Sequence, residues 1–530
     1  MSKPSARKGL FGLVLVVVFF GLSAWHVLFR TDGGGPDGEG DRITIRIGHW
    51  LMHAGMRESF DEAIREYERL HPDVRIEQIP VPLRTWSAWV RTQLTGGTAP
   101  DITGQLGLDE AMLSRHFLPL DRRLDEPNPH NQGGPLEGVP WRDTFTDGLA
   151  SLRALNPNSG EIFGVYLQLN SLRLFYNKRL LRLVTGSDRP PSTYAELRAL
   201  RAQTDHYNAA HGTALAPIAG CGPYAQYLFQ RLLASQTQKL TIELSPTRNL
   251  QLPPVDLATL VLEGRLGYHT PELRSALALQ RDLSSLMTPG FTQLQRDDAL
   301  FTYLQQNAVA IVAGTWDYAV FVRDGDFETG IVPIPYPDRD DPDFGQHVLG
   351  VAAEGAGGPE AMLGVVRNSP HPEIALDFLR FLSSHRIATR FTELSKRISG
   401  IAEVAPPGDA PGLAPQLHGE VPGFGVDFQN FGAGHAYTLF QRRLHTLIGP
   451  RGGVDAFVEE INKDLPEALR RDMAAHAARA RRDIQGLDAR LGIMLSHPGN
   501  SIDPDEIERL HEARILRHTD RLRRRDHAEP

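Results

Sequence analysis

The residues of this 530-residue chain that could do chemistry are aromatics, carboxamides and carboxylates standing where strand-like stretches end. His49 and Trp50 close the first such stretch, and Asp101 and Gln105 belong to the third. Gln168 and Asn170 sit between two alternating stretches, Trp316 and Asp317 follow an apolar run from 308, and Asn430 joins them from late in the chain. In open α/β sheets ligands bind outside the carboxyl ends of the strands. A tryptophan offers a large flat apolar surface, while Asp, Asn, Gln and Arg accept from or donate to hydroxyls around it. The combination suits a ligand with apolar C–H faces and hydroxyl edges. These nine residues are the candidate ligand contacts. Trp86 and Trp89 lie inside a helical repeat and are expected in the core.

Other chemistries find little support. His49 and His53 have helical spacing, but they follow a strand and lack a third ligand, so no metal is expected. His511-Glu512-Ala513-Arg514 is not a zincin motif, and Gly355-Ala356-Gly357-Gly358 lacks the spacing of a phosphate or dinucleotide loop. No cofactor and no catalytic residue is expected. Carboxylates are plentiful enough for a glycosidase pair, yet nothing in the sequence shows two of them facing each other. The one cysteine, Cys221, excludes an intramolecular disulfide and reads as a small buried hydrophobe, since no Cys-His motif surrounds it. A formal charge of −8 and a pI near 6.2 give no reason to expect nucleic acid as a partner.

The elements that position the candidates begin at Ile43. Ile43 to Ile47 alternates as a half-buried strand does, and Met56, Phe60, Ile64 and Tyr67 share one helical face. His71-Pro72-Asp73 stops that helix, Val74 to Ile79 alternates again, and a second helix carries Trp86, Trp89, Val90 and Leu94. A strand, helix and strand with short connections make a right-handed βαβ unit. The second helix ends at Gly96-Gly97-Thr98-Ala99-Pro100-Asp101-Ile102, where a new strand starts.

This order, with His71-Pro72-Asp73-Val74 between the two βα units and the Gly-Gly-Thr-Ala-Pro-Asp-Ile segment after them, resembles the amino-terminal lobe of the extracellular solute-binding proteins of carbohydrate ABC importers, the maltose-binding-protein type. Three later places are similar too. Gly164 to Lys178 looks like the family's crossover strand and Tyr-Asn-Lys turn. Pro190-Pro191-Ser192-Thr193-Tyr194-Ala195-Glu196-Leu197 looks like its Pro-Pro-x-Thr-Trp-x-Glu-Leu, a capping box with Tyr194 in place of Trp. Phe301 to Asp317 matches a helix, turn and apolar strand ending in Gly314-Thr315-Trp316, with Gln306-Asn307 where the turn usually carries Gly-Lys. Asn tolerates the left-handed turn conformation, so Asn307 is expected to supply it. Phe327 to Pro337 looks like the return crossover. The likeness spans roughly 43–450, and it implies that Trp316 stacks on a sugar.

The resemblance implies an α/β, two-lobed periplasmic-binding-protein fold, each lobe a mainly parallel sheet flanked by helices, with a hinge between. Lobe I is expected over 43–168 and 333–386, and lobe II over 169–332 and 387–453. Crossings fall near 166–172 and 329–336. It further implies capture of a mono- or oligosaccharide by hinge closure, delivery to an ABC permease, and a monomeric receptor that leaves its ligand unchanged. A membrane-anchored carbohydrate sensor and an extracytoplasmic carbohydrate-active enzyme are the alternatives. Basic residues Lys3, Arg7 and Lys8 precede an apolar run from Gly9 to Phe29, which reads as an uncleaved signal anchor within 1–30, followed by a Gly/Asp-rich tether at 31–42. The chain after Arg30 is then outside the cell membrane. Residues 241–256 read as loop, and 454–530 as a charged helical extension presenting a solvated face.

Overall fold

Strand β1 (Ile43–His49) and strand β2 (Val74–Pro80) pair in parallel, Ile45 beside Ile76, around the helix Met56–Leu70. That helix buries Met56, Phe60, Ile64 and Tyr67, the stripe its spacing demands. The helix Leu83–Gly96 stops at Gly97, whose φ of 69° is the left-handed cap that glycine adopts at no steric cost. The computed structural model describes residues 42–150, 161–245, 252–496 and parts of 507–519, save Ala54, Ala353, 355–358, Leu417 and Asn430. The expected anchor and tether and the 355–358 glycines therefore lie outside the described residues. Among the described residues no helix is long and apolar enough to cross a membrane.

Two sheets form two lobes. The first adds β3 (Ile102–Gly104), β4 (Val165–Leu169), β9 (Pro359–Val365) and β10 (Ile398–Ser399), in the order β10-β4-β9-β3-β1-β2. The second holds β5 (Leu172–Asn177), β6 (Ala216–Ala219), β7 (Ala308–Gly314) and β8 (Thr329–Pro333), in the order β6-β7-β5-β8. The sheets are mixed and not mainly parallel as expected. Of the eight pairings only β1·β2, β1·β3 and β6·β7 are parallel. Strands β4, β5, β8 and β9 all adjoin crossings between the lobes, and each makes antiparallel pairs.

Other expectations are corrected. The chain does not return to the second lobe at 387: the helix His385–Ser395 packs on Met56–Leu70, and β10 pairs with β4. The 241–256 stretch is not all loop, because helices Gln238–Leu244 and Pro254–Leu262 enter it from both sides. The left-handed turn residue is Gln306 (φ 57°), not Asn307. Its side chain is held by Asn177, Arg179 and Asp326. Thr193 caps its helix as expected, accepting from the Glu196 amide, but Glu196 reaches back to the Ser192 amide, one residue farther than a capping box requires.

The carboxyl-terminal helix Val454–Ser496 is not an appended solvated face. Phe457, Ile461, Leu465, Leu469 and Met473 are buried in the second lobe's core beside Tyr268 and Phe440. Asp472, itself fully buried, accepts the backbone N–H groups of Ala433, His435 and Ala436, and so caps the helix His435–Ile448.

The lobes are linked by three crossings: Asn170-Ser171, residues 334–358, and the stretch after β10. All three meet at Glu354. Its carboxylate accepts from Ser171 of the first crossing and the Gln416 amide of the third, and its own amide donates to the Gln416 carbonyl. Arg173, fully buried in β5, donates both Nη atoms to it.

Candidate ligand-binding site

Strand β7 is buried at every position and ends in the turn Thr315–Asp317. Gly314 is obligatory there, since a Cβ would overlap the folded-back Trp316 indole. Trp316 is half-buried, and the residue before it, Thr315, is bonded through its amide and its hydroxyl to the Ser171 backbone of the first crossing, which places this turn where the lobes meet. Tyr227, from the helix Gly222–Gln236, stands edge-on to it with centroids 6.4 Å apart and an angle of 81°. Tyr227 is 48% exposed, so the two rings make an aromatic surface that solvent reaches. Behind it Asp317 is fully buried, accepting from Arg296 Nε at 3.1 Å and from the Tyr224 hydroxyl. Burial pushes the Asp317 carboxyl up, against the opposing pull of Arg296 and Tyr224.

Across from this surface, the first lobe presents the ends of β4, β9 and β10. Gln168 and Glu360 face each other across β4 and β9. Arg397, 2% exposed, donates Nη1 to both, at 3.2 Å to Gln168 Oε1 and 2.8 Å to Glu360 Oε2. Gln168 donates onward to Met56 Sδ and Ser395 Oγ. His53, in the turn before the helix Met56–Leu70, is held to a pKa of about 4 by burial and by the charges of Arg397 and Arg296. Charges from both lobes thus act on one another across the junction: Arg397 also opposes the upward shift of Asp317.

The other candidates divide plainly. Asn170 is half-buried at the first crossing, within reach of both lobes. His49 stacks on Phe60 at 4.6 Å, accepts from the Leu51 amide at Nδ1 and meets Gln78 through Nε2, so both ring nitrogens are occupied. Trp50 is 5% exposed and packs on Trp86, a core residue as expected. Asp101 accepts from the Arg46 amide and the Ser369 hydroxyl, which ties strands together and caps no helix. Gln105 donates to the Phe163 carbonyl at 2.6 Å between Gly164 and Gly364. Asn430 lies outside the described residues. The structure brings Trp316, Asp317, Gln168 and Asn170 to the junction; His49, Trp50, Asp101 and Gln105 serve the first lobe's interior.

Sequence reasoning missed Tyr227, Arg296 and Arg397. Tyr227 had a signal, as one of three aromatics in a helix that also buries Tyr224 and Phe229. Arg397 had none, because the local string Ser395-Lys396-Arg397-Ile398 gives no reason to bury one base and expose the other. Among the described residues no group of side chains could hold a metal ion. A depression of about 300 Å³ at the free edge of β2 is lined by Arg57, Arg65 and Arg75 and by none of the candidates.

Two lobes, three crossings and an aromatic surface at their junction define a two-lobed binding protein of the periplasmic type. The chain belongs to the bacterial extracellular solute-binding proteins, whose family model matches residues 62–415. No curated protein matches the chain. Among solved structures it is similar to a cyclic alpha-maltosyl-1,6-maltose binding protein from Arthrobacter globiformis, at 17% identity and a TM-score of 0.54 over 81% of this chain and 99% of that one. The apo form of RafE from Streptococcus pneumoniae gives 16% and 0.54 over 82% and 100%. Maltose-bound T. maritima MalE3 gives 17% and 0.53 over 80% and 99%. At such identities the likeness is one of fold.

Proposed function

We propose that this protein is the substrate-binding component of an ABC importer, capturing a carbohydrate between its lobes and passing it unchanged to a membrane permease. The observation that carries the reading is the Trp316–Tyr227 surface, set beside the first crossing by the bonds between Thr315 and Ser171. A sugar ring laid on it would present its hydroxyls to Asn170 and to the Gln168–Arg397 group opposite. Neither lobe alone has that contact set, so ligand favours closure by its greater affinity for the closed form. The solved structures similar in fold include proteins described as binding maltose, raffinose and acarbose, which supports a carbohydrate over other solutes.

The protein acts as a monomer. Its amino-terminal apolar run holds it as an uncleaved anchor with the lobes outside, which raises its effective concentration at the permease. Titration with oligosaccharides while watching tryptophan emission tests the binding role. A saturable stoichiometric change with no new reducing ends is expected, and catalytic release of sugar would overturn it.

A further inference from the structure

The guanidinium of Arg397 is only half used. Its Nη1 is bonded to Gln168 and Glu360, while Nε and Nη2 are buried and have no partner among the described residues. These two N–H groups lie side by side on one edge of a planar cation, the arrangement that fits two oxygens of a single carboxylate or phosphate. The fold places that edge deliberately. The helix His385–Ser395 ends with Lys396 in the left-handed conformation (φ 56°), which sends Lys396 out to Asp409 and turns Arg397 inward over the end of β4. One residue past the end of β4 the chain crosses to the second lobe at Asn170-Ser171.

We propose that the ligand of this cleft carries an anionic group, a carboxylate or a phosphate, received by Nε and Nη2 of Arg397; the ligand is then an acidic carbohydrate, a uronate or a sugar phosphate. The inference rests on the binding role proposed above and narrows its ligand. A neutral sugar could offer hydroxyls to the same edge, but it would bring no charge to the fork, whereas a carboxylate or phosphate matches it in both charge and geometry. Burial lowers the pKa of Arg397 against the pull of Glu360 and Asp317, and His53 is depressed by burial and then by the charges of Arg397 and Arg296. Among the described residues no acidic side chain is bonded to the free edge itself: Glu360 is bonded to Nη1, and Asp317 is engaged by Arg296 and Tyr224.

The test compares matched pairs on the whole chain by calorimetry: glucuronate against glucose, digalacturonate against maltose, and glucose 6-phosphate against glucose. At least one acid should bind ten times or more tighter than its neutral partner, and which acid does so tells carboxylate from phosphate. In Arg397→Lys the acid-over-neutral preference should fall to about one. In Glu360→Gln, which keeps an acceptor and removes the competing charge, the preference should rise severalfold; this variant answers the question even where Arg397→Lys does not fold. Neutral sugars bound as tightly as their acids would overturn the inference and leave the carbohydrate reading standing. Failure of every sugar, acidic and neutral, would overturn both.

Discussion

Arg173 and Glu354 meet end-on, Nη1 to Oε1 and Nη2 to Oε2, each at 2.8 Å. Arg173 opens the second lobe's first strand, and Glu354 lies in the returning crossing. Removing one partner of a buried pair leaves the other charge stranded, at about 3–5 kcal/mol. Glu354→Ala should lower unfolding stability by that order in chemical denaturation. Glu354→Gln should lose less, since it still accepts from Ser171.

The same carboxylate makes stability depend on acid. Burial raises its pKa, but the bonds from Arg173, Ser171 and the Gln416 amide outweigh burial, and the folded value lies below the ordinary 4.5. Its contribution is present above pH 4.5 and disappears as pH falls through the lower folded value. In Glu354→Gln the unfolding curve should flatten in that window.

His53 acts at a higher pH. Its folded pKa of about 4 lies below the ordinary 6.5, so the unfolded chain takes up a proton first as acid is added. Stability should be complete above pH 6.5 and be lost between 6.5 and 4, by no more than about 3.5 kcal/mol at about 1.4 kcal/mol per pH unit. His53→Gln should remove that slope, as followed by thermal melts at a series of pH values.

Trp316→Ala should abolish the ligand-dependent emission change and weaken binding by at least about tenfold, ~1.4 kcal/mol. Gly314→Ala should do the same with the tryptophan itself unchanged, because the added methyl displaces the indole. Tyr227→Ala removes a half-exposed ring; it should weaken binding while changing stability by less than about 0.5 kcal/mol. An unaltered affinity in all three variants would remove this surface from the site.

Asp472→Ala leaves three amides of a helix start without their acceptor. A loss of about 2–4 kcal/mol is expected in denaturant titrations. Truncation before Val454 should leave the second lobe without Phe457, Ile461 and Leu465 and give no cooperative unfolding transition.

What could be read beforehand follows from range. The βαβ start at Ile43 was legible because period-two and period-3.6 patterns are local, and so was the strand Ala308–Gly314, an uninterrupted apolar run. The antiparallel pairing of β5 with β7 joins residues some 140 positions apart, Leu172 with Gly314, and no local pattern records it. Burial of Arg397 is of the same kind, since it depends on Gln168 and Glu360 arriving from elsewhere. His49, Trp50 and Gln105 do stand at carboxyl ends of strands, whereas Asp101 stands ahead of the third strand and not at its end; the polar groups of His49, Asp101 and Gln105 are taken up by first-lobe neighbours.

One connection carries Glu354 and the other two are bonded to its carboxylate, so a single ion pair with Arg173 ties all three together. Were one half to swing against the other about that carboxylate, a slight rotation at Ser171 would be magnified at the far rim. Loosening the pivot would blur that swing into several poorly aligned ones, and a permease that reads the shut shape would then lose its signal even while ligand was still held.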